Sequence, residues 1–431
     1  MTRRLGEAPG PLDPVEPGVV PVTSPVGMRI VLDVRPVQDP ENSPTTAIYL
    51  AELLAAYAAD PLPGESFALL LQAGLDDPTG GPEFAGLDVV GRRFLPPTRL
   101  LRSGALTIDP FLLRGASVGI AWRAERSGAS GAVYHTAIGA APLASQLSVV
   151  VTILDLAPWE LPGRYQATAA ARFGHRLRAR ILRDARAVIV GSEATGRAAR
   201  RLLRVKRDRI HVVPLAARLT FTPAASTESA DEAARLGLPD RYLVYPGRYD
   251  ARQDLGTLLR ALAMAAAERP AGADGPWPPR IVLVGASPDD RAALARAAAR
   301  EGIGELITYT PSLPAERLAS IVAGARAVVL PVLSDAAGLA AIEAIACGTP
   351  VIASNVGGLP EIVAGAGIVV EARAADRLAT AIGAVWADDV VHRGLASAAA
   401  ARAAGPRRTW ADVARETRVV YAAADRPVGS G

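Results

Sequence analysis

The chain has 431 residues, of which 50% are hydrophobic and 21% are charged, and it contains 40 glycines, 35 prolines and one cysteine. This composition excludes a disordered or fibrous protein, and the length allows two domains with buried cores. The single cysteine, Cys347, excludes an internal disulfide and a cysteine-based zinc cluster, so we predict a reducing compartment. The four histidines, which lack metal-ligand spacing, are His135, His175, His211 and His392.

No stretch approaches the roughly 18 uncharged apolar residues of a membrane span, and a proline-rich segment instead of an apolar signal core follows Arg3 and Arg4. We therefore expect a cytoplasmic protein. The formal net charge of +4 is small for this length, and arginine carries it, because Lys206 is the sole lysine. This bias indicates genome composition more than nucleic-acid binding, so we expect no nucleic-acid partner.

Residues 1–27 are rich in proline and glycine and have no hydrophobic periodicity, which predicts a disordered tail. From Met28 onward, short apolar runs with β-branched residues alternate with helical patterns. This alternation is typical of βαβ units and parallel sheets, and it predicts a first domain over residues 28–215. Its predicted elements are a helix at 45–59 and strands at 29–34, 67–72, 87–90, 133–134, 147–154 and 187–190.

Prolines, small polar residues and an acidic patch in residues 216–240 predict an interdomain linker. Residues 241–405 repeat the alternation more regularly and predict a six-stranded, doubly wound domain. Its predicted strands include 242–245, 281–284, 306–309, 327–330 and 351–354, and its helices 254–267, 289–301, 314–323, 339–346 and 360–363. A helix within residues 406–431 is expected to pack back on the first domain. Two such domains facing each other leave a ligand-binding cleft at the carboxyl ends of their strands.

Residues 331–361 are the most informative segment. A loop with Asp335 and Gly338 follows a strand there, and a helix with Glu343 in its first turns begins near Leu339. Free N–H groups and the helix dipole at such a position suit a diphosphate, and Gly338 would let a ligand approach the backbone. Glu343 could accept hydrogen bonds from a ribose diol, and Asp335 could hold a sugar hydroxyl. The alternative, favoured by spacing alone, is that Glu343 caps its own helix and Asp335 is solvated.

The same segment resembles the donor-site signature of the retaining glycosyltransferases of family 4, which have the GT-B fold. That signature reads Glu-Gly-Phe-Gly-Leu-Pro-x-x-Glu-Ala-x-Ala-x-Gly-x-Pro-Val-Ile. The residues that match it are Gly338, Leu339, Glu343, Ala344, Ala346, Gly348, Pro350, Val351 and Ile352. The sequences Gly-Gly-Leu-Pro-Glu at 357–361 and Tyr-Pro-Gly-Arg at 245–248 resemble further parts of the family pattern. Similarity in order and spacing covers most of residues 29–425.

The resemblance implies an α/β protein with two Rossmann-like, doubly wound domains facing a cleft, with donor residues in the second half and acceptor residues in the first. It implies transfer of a sugar, with retention, from a nucleotide diphosphate-sugar to a saccharide or lipid-linked acceptor in glycan or cell-envelope polysaccharide synthesis. Without a metal, cations and helix N–H groups must balance the negative charge on the leaving phosphate. We therefore expect no metal and no cofactor besides the nucleotide-sugar substrate.

By the same resemblance, Arg248 is the phosphate-binding cation, Glu343 binds the nucleotide ribose and Asp335 binds the donor sugar. The other residues predicted to bind the donor are Gly247, Arg252, Gln253, Gly338 and Leu339. On the acceptor side we predict His135 and Asp155, although His135 could equally be a core histidine.

The chain departs from the family pattern at three positions. Gln253 replaces the lysine that follows the arginine, Asp335 replaces the first glutamate, and Leu154 replaces a histidine before Asp155. Loss of one preorganised donor to a developing charge costs about 2.7 to 4 kcal/mol, although Arg252 could replace the lysine. Two hypotheses remain: an active glycosyltransferase with an adjusted donor site, and a non-catalytic relative that acts as a binding or partner module.

Residues 172–209 contain a cluster of basic residues on predicted helices. They are Arg172, Arg176, Arg178, Arg180, Arg183, Arg186, Arg197, Arg200, Arg201, Arg204, Lys206, Arg207 and Arg209. A basic helical face could rest on the anionic inner surface of a membrane and suit a lipid-linked acceptor. The alternative is a solvated face in an arginine-rich chain. Interleaved aromatic residues, which favour nucleic-acid binding, are missing from the pattern.

Overall fold

The computed structural model describes residues 28–97, 112–113, 131–137, 142, 145, 147–269 and 275–425. These residues form two α/β domains, each built on a parallel sheet. The predicted tail and the last part of the predicted C-terminal segment, residues 426–431, lie outside the described residues.

The first domain contains a seven-stranded sheet with the order β3-β2-β1-β4-β5-β6-β7. Strand β1 pairs in parallel with both β2 and β4, so the strand order reverses beside β1. The strands are β1 Met28–Asp33, β2 Ser66–Gln72, β3 Val89–Leu95, β4 Gly131–Thr136, β5 Ser148–Ile153, β6 Ala187–Val190 and β7 Ile210–Val212. The α-helices described in this domain are Arg35–Gln38, Pro44–Ala59, Ala157–Glu160, Pro162–Tyr165, Ala169–Asp184 and Glu193–Leu203.

The second domain contains a six-stranded parallel sheet with the order β10-β9-β8-β11-β12-β13, so the order reverses beside β8. The strands are β8 Leu243–Tyr245, β9 Ile281–Val284, β10 Ile307–Thr310, β11 Ala327–Leu330, β12 Val351–Ser354 and β13 Gly367–Val370. The helices are Leu255–Ala267, Pro288–Arg300, Ala315–Gly324, Leu339–Ala346, Leu359–Val363, Ala375–Ala387 and Asp389–Ala404.

Several inner strands of the two sheets are buried along their whole length, which explains why their sequences are continuous apolar runs. Every residue of β6, β9, β11 and β12 is buried, and these strands have the predicted bounds. The edge strands β7 and β13 are only partly buried, and neither was among the predicted strands. Their exposure weakens the apolar signal on which a sequence-based prediction depends.

The segment predicted as a linker, residues 216–240, packs on the second domain. It contains a short 3-10 helix, Pro223–Thr227, and an α-helix, Ser229–Arg235. Phe221 lies in the same apolar cluster as strands β8 and β11. The buried Glu232 accepts a hydrogen bond of 2.6 Å from Arg317 on the helix Ala315–Gly324. The acidic and proline-rich composition therefore belongs to a covering layer of the second domain.

The last described helix, Trp410–Asp425, returns to the first domain, as the sequence pattern predicts. The buried Tyr421 hydroxyl lies 2.6 Å from Nδ1 of His135 and accepts a hydrogen bond of 3.2 Å from the Tyr57 hydroxyl. On the other side of the imidazole ring, Nε2 of His135 lies 2.8 Å from the Thr152 hydroxyl. This buried network connects the helix to strands β4 and β5.

Burial lowers the pKa of His135 from 6.5 to about 3, so the folded protein keeps this side chain neutral in mild acid. The unfolded chain takes up the proton near pH 6.5, and stability contributed by the neutral ring is therefore lost as the pH falls from 6.5 toward 3. Between pH 7 and pH 5, this one group should lower the free energy of unfolding by about 2 kcal/mol.

The substitution His135→Gln replaces the imidazole with an amide, which can still form hydrogen bonds but does not titrate. The free energy of unfolding of both proteins should be measured by urea unfolding at pH 7 and pH 5. The difference between wild type and variant should be about 2 kcal/mol less favourable to the wild type at pH 5 than at pH 7. Equal pH dependence of the two proteins would contradict this origin of acid sensitivity, because the other histidines titrate in both.

Candidate functional site

A cavity of about 970 Å³ lies at the carboxyl ends of the strands of both sheets. Its walls are formed by the segments that follow β1 and β5 in the first domain and β8, β9, β10 and β11 in the second. Because the strand order reverses beside β1 and β8, this is the position at which doubly wound sheets bind ligands.

Glu343 lies on the helix Leu339–Ala346 and is 6% exposed. Arg218 donates from Nε to Oε1 at 2.5 Å and from Nη2 to Oε2 at 3.1 Å, which forms a bidentate ion pair. Burial raises the pKa of Glu343, and the hydrogen bonds and charge of Arg218 oppose this rise. Arg218 was not among the predicted residues, because no motif or periodicity marks it within the segment predicted as a linker.

Arg248 follows β8 in a tight turn in which Gly247 and Arg248 have φ angles of 106° and 78°. This left-handed backbone is unfavourable for arginine, and the Tyr245 hydroxyl donates a hydrogen bond to the Arg248 carbonyl. The Arg248 guanidinium donates across the cavity to the Thr45 hydroxyl of the first domain. Burial, followed by the charge of Arg252, lowers the pKa of Arg248. No described carboxylate forms a salt bridge with Arg248, so its charge can bind an anion.

Arg252, predicted as a substitute for the missing lysine, is already paired. Its Nε lies 3.0 Å from one oxygen of Asp250, and its Nη1 lies 3.3 Å from a carboxylate oxygen of Asp155. Burial lowers the pKa of Arg252, but the hydrogen bonds with Asp250 and the charge of Asp155 outweigh this effect and raise it. The next residue, Gln253, forms an isolated antiparallel β-bridge with Val332, and it lines the cavity.

The loop before the helix Leu339–Ala346 is held by Asp335. Its Oδ1 accepts hydrogen bonds from the N–H groups of Ala337 at 3.0 Å and Gly338 at 2.8 Å, so this carboxylate is neither free nor simply solvated. The first helical residues, Leu339 and Ala340, line the cavity. Their N–H groups donate to no acceptor among the described residues, and they remain available to an anion at the helix N-terminus.

Gly338 was predicted to let a ligand approach the backbone, but in the structure the absence of a side chain here is required by packing. Its φ angle is 65°, and a Cβ atom at this position would lie 2.1 Å from Cδ1 of Ile362. Gly338 is also absent from the described wall of the cavity. A side chain is therefore excluded by the backbone conformation and by Ile362.

The two residues predicted on the acceptor side have different positions. His135 is fully buried in the hydrogen-bonded core network and does not line the cavity, so the acceptor-side prediction is corrected in favour of the core histidine. Asp155 lines the cavity, where it accepts a hydrogen bond of 2.8 Å from the Ala157 N–H and pairs with Arg252. The neighbouring Leu154 lines the cavity with an apolar side chain.

Direct contacts between the domains lie next to the cavity-lining residue Ala336. The Glu361 carboxylate accepts hydrogen bonds from the N–H groups of Glu193 at 3.1 Å and Ala194 at 2.9 Å. These donors open the helix Glu193–Leu203, whose dipole favours a negative charge there. Thr195 also donates to the carbonyl of Ala336 at 3.1 Å, in the loop before the helix Leu339–Ala346.

Within the described residues, no three or more histidine, cysteine, aspartate or glutamate side chains are grouped so that they could hold a metal ion. Among the described helices, none has the length and apolarity needed to cross a membrane. The cavity combines an arginine without a carboxylate partner, two available helix N–H groups and a buried carboxylate. This set of groups can bind an anion beside a hydroxyl-bearing molecule.

Comparison with known proteins identifies the two halves of the chain. Residues 240–388 match the family model described as glycosyl transferases group 1, and residues 16–216 match the glycosyl transferase 4-like domain. A D-inositol 3-phosphate glycosyltransferase of Nocardia farcinica is 34% identical over 256 residues, which cover 57% of this chain and 54% of that protein. One from Streptomyces scabiei is 36% identical over 216 residues, with coverage of 47% and 46%. The chain thus spans about half the length of these curated relatives.

Solved structures extend the similarity to both domains. Sucrose-phosphate synthase from Thermosynechococcus elongatus has a TM-score of 0.67 and 24% identity, with coverage of 91% of this chain and 98% of that chain. Anabaena HepE in complex with UDP and glucose has a TM-score of 0.63 and 16% identity, with the same coverage. The predicted two-domain GT-B fold is confirmed. Residues 240–388 thus belong to the group 1 glycosyl transferases, and residues 16–216 belong to the glycosyl transferase 4-like domains.

Proposed function

We propose that the chain transfers a sugar from a nucleotide diphosphate-sugar to a hydroxyl group of an acceptor, with retention and without a metal ion. The observation that carries this proposal is the Arg248 guanidinium, which faces the cavity without a carboxylate partner among the described residues. The available N–H groups of Leu339 and Ala340 lie in the same cavity, and they can bind the same diphosphate as Arg248. Together they would stabilise the negative charge that develops on the leaving phosphate.

The other groups of the cavity suit the sugar parts of such a donor. Glu343 can accept hydrogen bonds from ribose hydroxyls through its remaining lone pairs while Arg218 holds the carboxylate in place. Asp335 uses Oδ1 for the loop N–H groups, so Oδ2 can accept a hydroxyl of the donor sugar. The proposal assigns no nucleophile to the protein.

The names of the curated relatives make D-inositol 3-phosphate the first acceptor to test. A different observation favours a second candidate, an uncharged saccharide or a lipid-linked saccharide of glycan or cell-envelope polysaccharide synthesis. The described cavity residues of the first domain include the carboxylates of Glu41 and Asp155 and no cation. Because Arg252 of the second domain pairs with Asp155, the Glu41 carboxylate supplies the negative charge on this wall, which opposes a phosphorylated acceptor and permits a neutral one.

A non-catalytic relative is the alternative hypothesis. It is worth testing because Arg252 is paired with Asp250 and Asp155 and because position 253 is glutamine instead of lysine. A binding module would retain a nucleotide without transferring its sugar. Donor binding and turnover must therefore be measured separately.

Donor binding should raise the melting temperature of the protein without added metal. We expect a shift with sugars of one nucleotide among UDP, GDP, ADP and TDP, and no loss of it when EDTA is added. A ligand at 100 times its dissociation constant adds about 2.7 kcal/mol of stability. Glu343→Gln removes a ribose acceptor and should reduce the shift. If folded wild-type protein shows no shift with any of these donors, the donor-site proposal is wrong.

Arg248→Gln should lower kcat/KM for sugar transfer by about 10² to 10³, because it removes one preorganised donor to the developing phosphate charge. Arg248→Lys should retain part of the rate, since a positive charge remains. The matched control is Arg296→Gln, which changes an exposed arginine on the helix Pro288–Arg300, outside the described cavity wall. Equal turnover in Arg248→Gln and the control would remove Arg248 from the proposed site.

Gln253→Lys should increase kcat/KM for the same donor. The bridge between Gln253 and Val332 fixes the backbone, so the lysine would extend from a defined position in the cavity wall. Without its own supporting contacts, it should recover about tenfold, less than the 10² to 10³ of a preorganised donor. Steady-state kinetics at low salt would measure this gain, with Gln253→Met as the uncharged control. An unchanged or lower rate in the lysine variant would show that another group already neutralises the phosphate.

A further inference from the structure

Positive charge is concentrated in residues 172–209, which contain thirteen basic and three acidic residues. The whole chain contains 47 lysines and arginines and 43 aspartates and glutamates, so the rest of the chain has more acidic than basic residues. A general preference for arginine acts on the entire chain. It therefore does not explain why the positive charge lies in this one segment.

The helix Ala169–Asp184 presents much of this charge on one exposed face. We define this basic face by its five exposed residues, Arg172, Phe173, Arg176, Arg180 and Arg183. Phe173, Arg176 and Arg180 are spaced three and four residues apart, which places them side by side on a helix. Residues of the opposite face, including Ile181 and Leu182, are buried in the first domain.

An aromatic side chain stands within the basic face and is largely exposed. Phe173 has an exposed fraction of 61%, although a phenyl ring gains free energy when it leaves water. Most of the arginines around it also have no strong partner among the residues that the structure describes. Asp184 lies 3.9 Å from Arg180 and 4.0 Å from Arg183, and its side chain is 65% exposed, so these pairs are weak.

The charge continues beyond the end of the helix. Arg209 donates to the carbonyls of Arg183 and Ala185, both at 3.2 Å, and this places the preceding turn beside the basic face. That turn exposes Lys206 and Arg207. The protein therefore offers an extended positive surface with one exposed aromatic residue inside it.

We propose that the basic face docks on an anionic lipid surface. Arginines attract anionic headgroups, and a phenyl ring enters the boundary between the headgroups and the acyl chains. A nucleic acid is less suited to this face, because base stacking needs aromatic residues repeated along the surface, and the face has one. This docking goes beyond the proposed transfer reaction and does not depend on it.

Vesicle cosedimentation of the whole chain tests this proposal directly. One set of vesicles contains phosphatidylcholine alone, and the other contains phosphatidylcholine with phosphatidylglycerol. We expect binding to the anionic vesicles that falls as salt is added, because counterions screen the arginines. A variant with Arg176→Gln, Arg180→Gln and Arg183→Gln should bind roughly 100-fold more weakly. Phe173→Ser should weaken binding at every salt concentration, since its contribution is apolar.

The matched control removes three exposed arginines from the second domain: Arg296→Gln, Arg300→Gln and Arg377→Gln. This control has the same net charge as the basic-face variant and should bind like the wild type. Equal loss in both variants would show attraction by net charge alone and overturn the proposal. Equal binding to neutral and anionic vesicles, or preferential binding to duplex DNA by the same arginines, would overturn it as well. Donor-induced thermal shifts should be unchanged in the basic-face variant, which separates this test from the test of sugar transfer.

Discussion

The cavity depends on the reversal of strand order beside β1 in one sheet and beside β8 in the other. On the two sides of such a reversal, the connecting segments leave toward opposite faces of the sheet, and a crevice opens at the carboxyl ends of the central strands. Thr45 comes after β1 and Arg248 after β8, and they meet across this crevice. The topology thus brings together two residues that are far apart in the sequence. The helix Leu339–Ala346, which follows β11, lines the same cavity.

Carboxylates hold two arginines of the crevice before any ligand is present. Arg218 is paired with Glu343, and Arg252 with Asp250. Breaking a largely buried pair such as Arg218–Glu343 costs about 3 to 5 kcal/mol, so this arginine is fixed in position. Arg252 is more exposed but is already paired with carboxylates, so both arginines contribute little new attraction to an anion. A ribose diol can join the first pair without breaking it, because its hydroxyl groups donate to carboxylate lone pairs. Arg248 can bind an anion without losing a carboxylate partner among the described residues.

The inner strands and the helix Leu339–Ala346 could be predicted from the sequence because each is a local apolar pattern bounded by turn residues. The helix Leu339–Ala346 begins and ends where predicted, and the motif around it identified Glu343. Features that depend on distant contacts could not be predicted. The place of Arg218 in the site is known only from its ion pair with Glu343 in the structure. The core position of His135 is likewise known only from its hydrogen bond with Tyr421. The same holds for the contact of Ile362 that excludes a side chain at position 338.

In the proposed reaction, Gln253 in place of the family lysine leaves fewer cations for the leaving phosphate. Arg252 does not replace that lysine, because Asp250 and Asp155 hold its guanidinium. The strength of the remaining interactions depends on how much water surrounds them, since charges interact more strongly in a medium of low dielectric constant. The Glu361 contacts with the helix Glu193–Leu203 join the two domains through residues that are exposed to solvent. In the proposed reaction, Arg248 and the two helix N–H groups are the groups that would stabilise the leaving phosphate.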